Sequence, residues 1–215
     1  CIRDRFWSES PPGFTLQRRD EEGGGGLELL TCAHLGLVAL YLGDLRRAQG
    51  AGHALQRFLE IQPSPASRFY LRMTPQGEPQ TSFGEETAGL HVIEAALPGQ
   101  AWFFIGYPMA FLCRLHQATG DAAALATAEG YGTFAQRCAA VMVAEHLAHK
   151  VAWGAAELAK ASGRDAARSL SEAIVAHLIE AQDEQGAWLA EAPLATRIDQ
   201  SAEVAIWLLE ISALG

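Results

Sequence analysis

Three stretches of the chain repeat one arrangement of apolar and polar positions. They read LVALYLGDLRRAQGAGHALQRFL, FLCRLHQATGDAAALATAEGYGTF and GAAELAKASGRDAARSLSEAIVAHLI. In each, an apolar helical run closes on a glycine and an acidic residue, and an amphipathic run with apolar positions at helical spacing follows at once. Gly43, Gly120 and Gly163 suit the left-handed position that ends a helix, and Asp44, Asp121 and Asp165 are placed to cap the next one. The pattern predicts antiparallel helical hairpins, an all-α chain.

Gly120 and Gly163 are 43 residues apart, whereas Gly43 and Gly120 are 77 apart. The surplus falls on residues 67–99, which are poor in helix signals. There FYLRM and LHVIEA carry the β-branched and aromatic character of short strands, joined through Pro75-Gln76-Gly77 into a small β-hairpin. This insertion and a second, DEQGAWLAEAPLATRID, both run from an outer helix to the next inner one, so both lie on one rim. Two-helix repeats of this length build an open solenoid or a closed ring. Long insertions confined to one rim favour the ring, an α/α toroid, here incomplete. Closing it calls for missing sequence or a partner subunit in a homodimer. Residues 1–215 are read as a single domain, with 1–26 an irregular N-terminal segment that includes a flexible DEEGGGG loop.

Composition narrows the functional classes. The chain has 215 residues, 49% of them hydrophobic, and a mean hydropathy near zero, as in globular proteins with a substantial core. Its net charge of -9, with only Lys150 and Lys160 as lysines, argues against a nucleic-acid or anionic-membrane surface. No apolar run is long enough for a membrane span, and no signal peptide is visible, so a cytoplasmic location is expected. Four cysteines, at positions 1, 32, 113 and 138, lack C-x-x-C spacing, and the last three fall inside apolar helical patterns as reduced core thiols.

Gln182, Gly186 and Trp188 form a Q-x-x-x-G-x-W pattern that resembles the QW repeat of terpenoid cyclases, a device tying a helix end to the following turn. GQAWFFIGYPMAFLCRLHQATGD and the outer helix after it look like the hairpins of six-hairpin glycan enzymes and sugar epimerases. The resemblance covers residues 27–61 and 99–215 and implies the α/α-toroid architecture. It implies no reaction: the D-x-D-D and D-D-x-x-D motifs of the cyclases are missing, as is the Cys/His/Asp trio of a zinc prenyltransferase.

In such a ring the inner helices, beginning near Leu27, Gln100, His146 and Asp199, start at the cavity rim. Their first turns and the preceding loops are where substrate would be met. Glu86 and His91, entering one cavity, can serve as general acid and base. Tyr107, Asp199 and Glu203 complete the candidate catalytic set, with Asp199 doubling as an N-cap and Arg197 neutralising the two carboxylates. Gln100, Trp102, Phe103, Lys150 and Trp153 are candidates to bind substrate: aromatic walls for a ring, and a cation for an anionic group. Pro108 would loosen the turn beside the aromatic wall. His146 shares a helix face with Lys150, and His149 reads as surface charge. His34 and His53 read first as packed residues. No metal site and no cofactor are expected, because H-E-x-x-H, P-loop and dinucleotide fingerprints are all missing.

The reading is a cofactor-independent isomerase, lyase or cyclase that uses acid–base catalysis on a small sugar-like or natural-product molecule. Two alternatives are a non-catalytic helical-repeat binding module and a glycan hydrolase with paired carboxylates.

Overall fold

The computed structural model describes residues 5–18 and 25–214. Cys1 and most of the glycine-rich loop, residues 20–24, lie outside the described residues. The protein is mostly helical, with small antiparallel strand pairs. Among the described residues the α-helices are α1 (Leu29–Tyr41), α2 (Leu45–Glu60), α3 (Phe103–Thr119), α4 (Ala122–Met142), α5 (His149–Ser162), α6 (Asp165–Glu180) and α7 (Leu194–Ser212). They form two layers. Helices α1, α3, α5 and α7 pack in that order against one another, and α2, α4 and α6 pack each on the preceding helix.

The hairpin hinges follow the expected physics. Gly43, Gly120 and Gly163 have φ of +74°, +74° and +70°, a region that costs a glycine little. Asp44 accepts from the Arg47 amide and Asp121 from that of Ala123. Asp165 differs, being the first residue of α6, with Arg164 at the N-cap and no side-chain cap. Its charge still favours the positive end of the helix.

Within residues 67–99, β4 (Arg68–Tyr70) pairs antiparallel with β6 (Val92–Glu94), and an Arg68–Glu94 ion pair of 2.9 Å spans the ladder. The turn at Pro75-Gln76-Gly77 does not join these two strands. It folds β5 (Arg72–Met73) back on Pro79 and Gln80, while β5 also pairs with β3 (Leu27–Glu28). A two-turn 3-10 helix, Glu85–Leu90, then leads into β6. The expectation of an irregular segment before Leu27 is also corrected. β1 (Trp7–Glu9) and β2 (Pro12–Phe14) form a hairpin whose Trp7 and Phe14 rings meet edge to face at 4.9 Å. Strands so short carry no visible alternation; their partner ring and α2 define them.

The core runs through both layers and is rich in alanine and glycine, which lets helix axes approach closely. The closest approach is between α3 and α5. A Cβ added at Gly106 would lie 2.2 Å from the Lys150 carbonyl oxygen, and one at Gly154 would lie 2.4 Å from the Gly106 oxygen. Two bare backbones therefore touch, which brings Tyr107 on α3 beside Lys150 and Trp153 on α5. Cys32, Cys113 and Cys138 are buried free thiols.

The Q-x-x-x-G-x-W segment works as a tie. Gln182 Nε2 donates to the Gly186 carbonyl (2.9 Å), and Trp188 Nε1 donates to the Leu178 carbonyl (2.7 Å) at the end of α6. The Trp188 amide donates to Ser201 Oγ (3.0 Å) on α7. Helix α7 starts earlier than its polar residues indicate, at Leu194 after Pro193. Asp199 consequently sits in the second turn, exposed and not at an N-cap, and Arg197 pairs with Asp183 and Gln185 instead of Asp199 or Glu203. Leu194, Ile198, Ile206 and Leu209 on α7 are exposed. No described helix is long and apolar enough to cross a membrane.

Candidate functional site

Each helix of the first layer places a pair of aromatic or charged residues two turns apart on the same side: His34 and Tyr41 on α1, Tyr107 and Arg114 on α3, Lys150 and Glu157 on α5, Glu203 and Glu210 on α7. Trp153 and Trp207 fall between the last two pairs. These stripes converge. The rings of Tyr107 and Trp207 meet edge to face at 5.8 Å although α5 lies between their helices, and both touch Trp153, at 5.6 and 4.3 Å. Side chains of α3 and α7 can meet in front of α5 only if the layer is concave on this side.

At one level of the concave face, Lys150 Nζ lies 2.8 Å from Glu203 Oε2 and about equally far, 5.5 and 5.6 Å, from the ring centres of Phe103 and Tyr107. Trp207 Nε1 donates to the same Glu203 oxygen at 3.1 Å. His34 packs its ring on Tyr107 at 4.3 Å. At the other level, Arg114 Nε binds buried Glu157 at 2.7 Å, reaches Glu210 at 3.4 Å, donates to the Tyr41 hydroxyl and lies over the Trp153 ring. Two ion-paired levels thus bracket an aromatic floor. Trp153 Nε1 in that floor is buried with no hydrogen-bond partner.

The electrostatics assign protonation states. Burial lowers the pKa of His34, helped by the Lys150 charge, so its imidazole is neutral at pH 7. Burial, and then the Glu203 charge, push the Tyr107 phenol up to about 12, and it remains a proton donor. Burial favours a protonated Glu203, but the hydrogen bonds from Lys150 and Trp207 together outweigh it and hold the group as a carboxylate. Burial is also the largest effect on His149, whose pKa is lowered despite its hydrogen bond to the His146 carbonyl.

The structure brings Tyr107, Glu203, Phe103, Lys150 and Trp153 together on this face, and places the other candidates elsewhere. His91 is buried in the insertion, stacked on Phe83 at 4.9 Å, with Nδ1 on the Thr87 carbonyl. Glu86 is exposed on the 3-10 helix. Gln100 accepts from the Glu94 amide and donates to the Pro98 carbonyl, a bracing role. Trp102 is fully buried. Asp199 is bonded to its neighbour Gln200. His149 is not surface charge: it is 1% exposed, because α5 begins with it and turns it inward behind Lys150.

Tyr41, Arg114, Glu157, Trp207 and Glu210 were not among the candidates, and His34 was a further candidate read first as a packed residue. Their signal was present as polar and aromatic residues two turns apart on helices that are otherwise apolar, a pattern core packing does not require. Among the described residues no group of three His, Cys, Asp or Glu side chains could hold a metal ion. No family model, curated protein or solved structure matches this chain.

Proposed function

We propose that the concave face is the active site of a cofactor-independent enzyme that moves protons on a small organic molecule, as an isomerase, lyase or cyclase. The observation that carries this reading is the Lys150–Glu203 pair, 2.8 Å apart and only partly exposed, next to Tyr107 and a neutral His34. A carboxylate and a neutral imidazole are two bases of different strength on one wall. Tyr107 and Lys150 are donors placed to stabilise negative charge on a ligand oxygen when a neighbouring C–H bond is broken. Trp207 and Tyr41 supply flat surface for the ligand's apolar face.

The curvature supports a finer architectural reading, in which the seven helices of the described residues are an arc of an α/α toroid with this face turned to its centre. The tight packing of the first layer and the glycine hinges are what such a ring needs. The partner implied is a small molecule carrying a carbonyl flanked by a C–H bond.

The test is solvent exchange. The protein is incubated in D2O with glucose, fructose, glyceraldehyde and cyclic ketones as probes, and deuterium at the carbon beside the carbonyl is read by NMR. Wild-type protein is expected to label at least one probe, and Glu203→Gln and Lys150→Met are each expected to slow labelling by a hundredfold or more. Labelling at unchanged rates in both variants would remove the reading.

A further inference from the structure

His149 is the one buried histidine behind the Lys150–Glu203 pair. Its Nδ1 lies 2.5 Å from the His146 carbonyl oxygen, which can only accept, so Nδ1 carries the proton and Nε2 presents its lone pair. That Nε2 is buried and has no hydrogen-bond partner, an arrangement that ordinarily costs about 1–3 kcal/mol. A group that can exchange a proton faces it: Glu203 Oε2 is 3.7 Å away. A lone pair and a carboxylate oxygen facing each other at that distance repel weakly as they stand and attract strongly once one proton lies between them. The other charged or titratable groups around the pair are Lys150 and Tyr107 beside it, His146 at the helix start and His34 across the face.

From this geometry we propose that Glu203 and His149 form a proton relay, in which a proton received by the Glu203 carboxylate passes to His149 Nε2. The proton leaves a C–H or O–H bond of the ligand, whose electron pair stays on the ligand, and ends on the imidazole as N–H. Glu203 returns to a carboxylate, still held by Lys150 and Trp207, and accepts from the new imidazolium. Burial keeps the stored proton from bulk water, so it can be returned to the same ligand. His149 is thus a positioning residue acting through Glu203. Its catalytic use rests on the function proposed above, whereas the coupling is a property of the free protein.

The coupling is measured without a substrate, by long-range 15N–1H NMR of histidine-labelled protein, with the His149 signal assigned by its loss in His149→Gln. In the wild type at pH 8, Nε2 is expected to show the shift of an unprotonated nitrogen, with Nδ1 protonated. Glu203→Gln, which removes the charge, is expected to weaken proton binding at His149 at least tenfold, and Glu203→Asp to fall between the two. A protonated Nε2 at pH 8, or equal proton affinity in wild type and folded Glu203→Gln, overturns the relay. If Glu203→Gln does not fold, the wild-type tautomer and the Glu203→Asp titration decide it by the same criteria. Coupling found in a protein that exchanges no probe leaves the relay standing and removes only its catalytic use.

Discussion

Gly106 and Lys150 touch through their backbones, and no side chain could be placed between them: a Cβ on Gly106 would lie 2.3 Å from the Lys150 carbonyl carbon. This contact sets the depth at which Tyr107, one residue on, faces Lys150. Alanine ordinarily stabilises a helix interior by up to about 1 kcal/mol over glycine. Here the obstacle is backbone that cannot rotate away, so overpacking wins. Gly106→Ala is expected to lose roughly 2 kcal/mol or more in urea unfolding. Gly89→Ala, where an added Cβ meets nothing within 4 Å, is expected to change stability little.

Stability should fall as the solution is acidified through the histidine range. The folded pKa values of His34, His146 and His149 lie below the ordinary 6.5, with burial the largest cause in each. Below pH 6.5 the unfolded chain therefore binds more protons than the folded one, and the folded state loses ground as pH drops. The Tm at pH 5.5 is expected to lie below that at pH 7.5, and His149→Gln is expected to reduce the difference. A Tm that rises on acidification over this window would contradict the assignment.

Lys150→Met removes the principal cation from Glu203 and leaves a partly exposed carboxylate with Trp207 as its remaining direct donor. At neutral pH the cost is expected to be about 1 kcal/mol, the scale of a partly screened pair. The Glu203 carboxyl is expected to bind protons more readily in that variant, read by 13C NMR of the labelled side chain. Lys150→Arg, which keeps the charge, is expected to recover most of the stability.

The tie after α6 predicts a graded response. Trp188→Phe keeps the ring but leaves the Leu178 carbonyl without its donor, a loss of roughly 1–2 kcal/mol. Gln182→Ala breaks a solvent-exposed bond and is expected to cost less than about 1 kcal/mol. Equal losses for the two, measured by urea unfolding, would place the tie's strength elsewhere than in the indole.

The helices and their hinges were legible because they rest on local physics. Apolar spacing marks the buried face of a helix, and a glycine with an acidic residue marks where one helix ends and the next begins. Gly43, Gly120 and Gly163 therefore announced the hairpins, and Gln182 with Trp188 announced the tie. Lys150, Trp153, Tyr107, Phe103 and Glu203 were legible as unusual residues on first-layer helices. What brings them together was not. The approach of Gly106 to Lys150 depends on two helices 40 or so residues apart in the chain, and nothing near either residue signals it. The same holds for His91 and Glu86, chemically apt residues that the fold spends on packing at the end of the 3-10 helix and on an exposed turn, and for His149, whose one-residue offset from Lys150 turns it from surface to interior. The sequence by itself determined which segments are helices and where they turn. Only the tertiary structure decided which faces meet, because that choice is made by long-range packing between backbones, and it put the candidate site on the concave face instead of in the insertions.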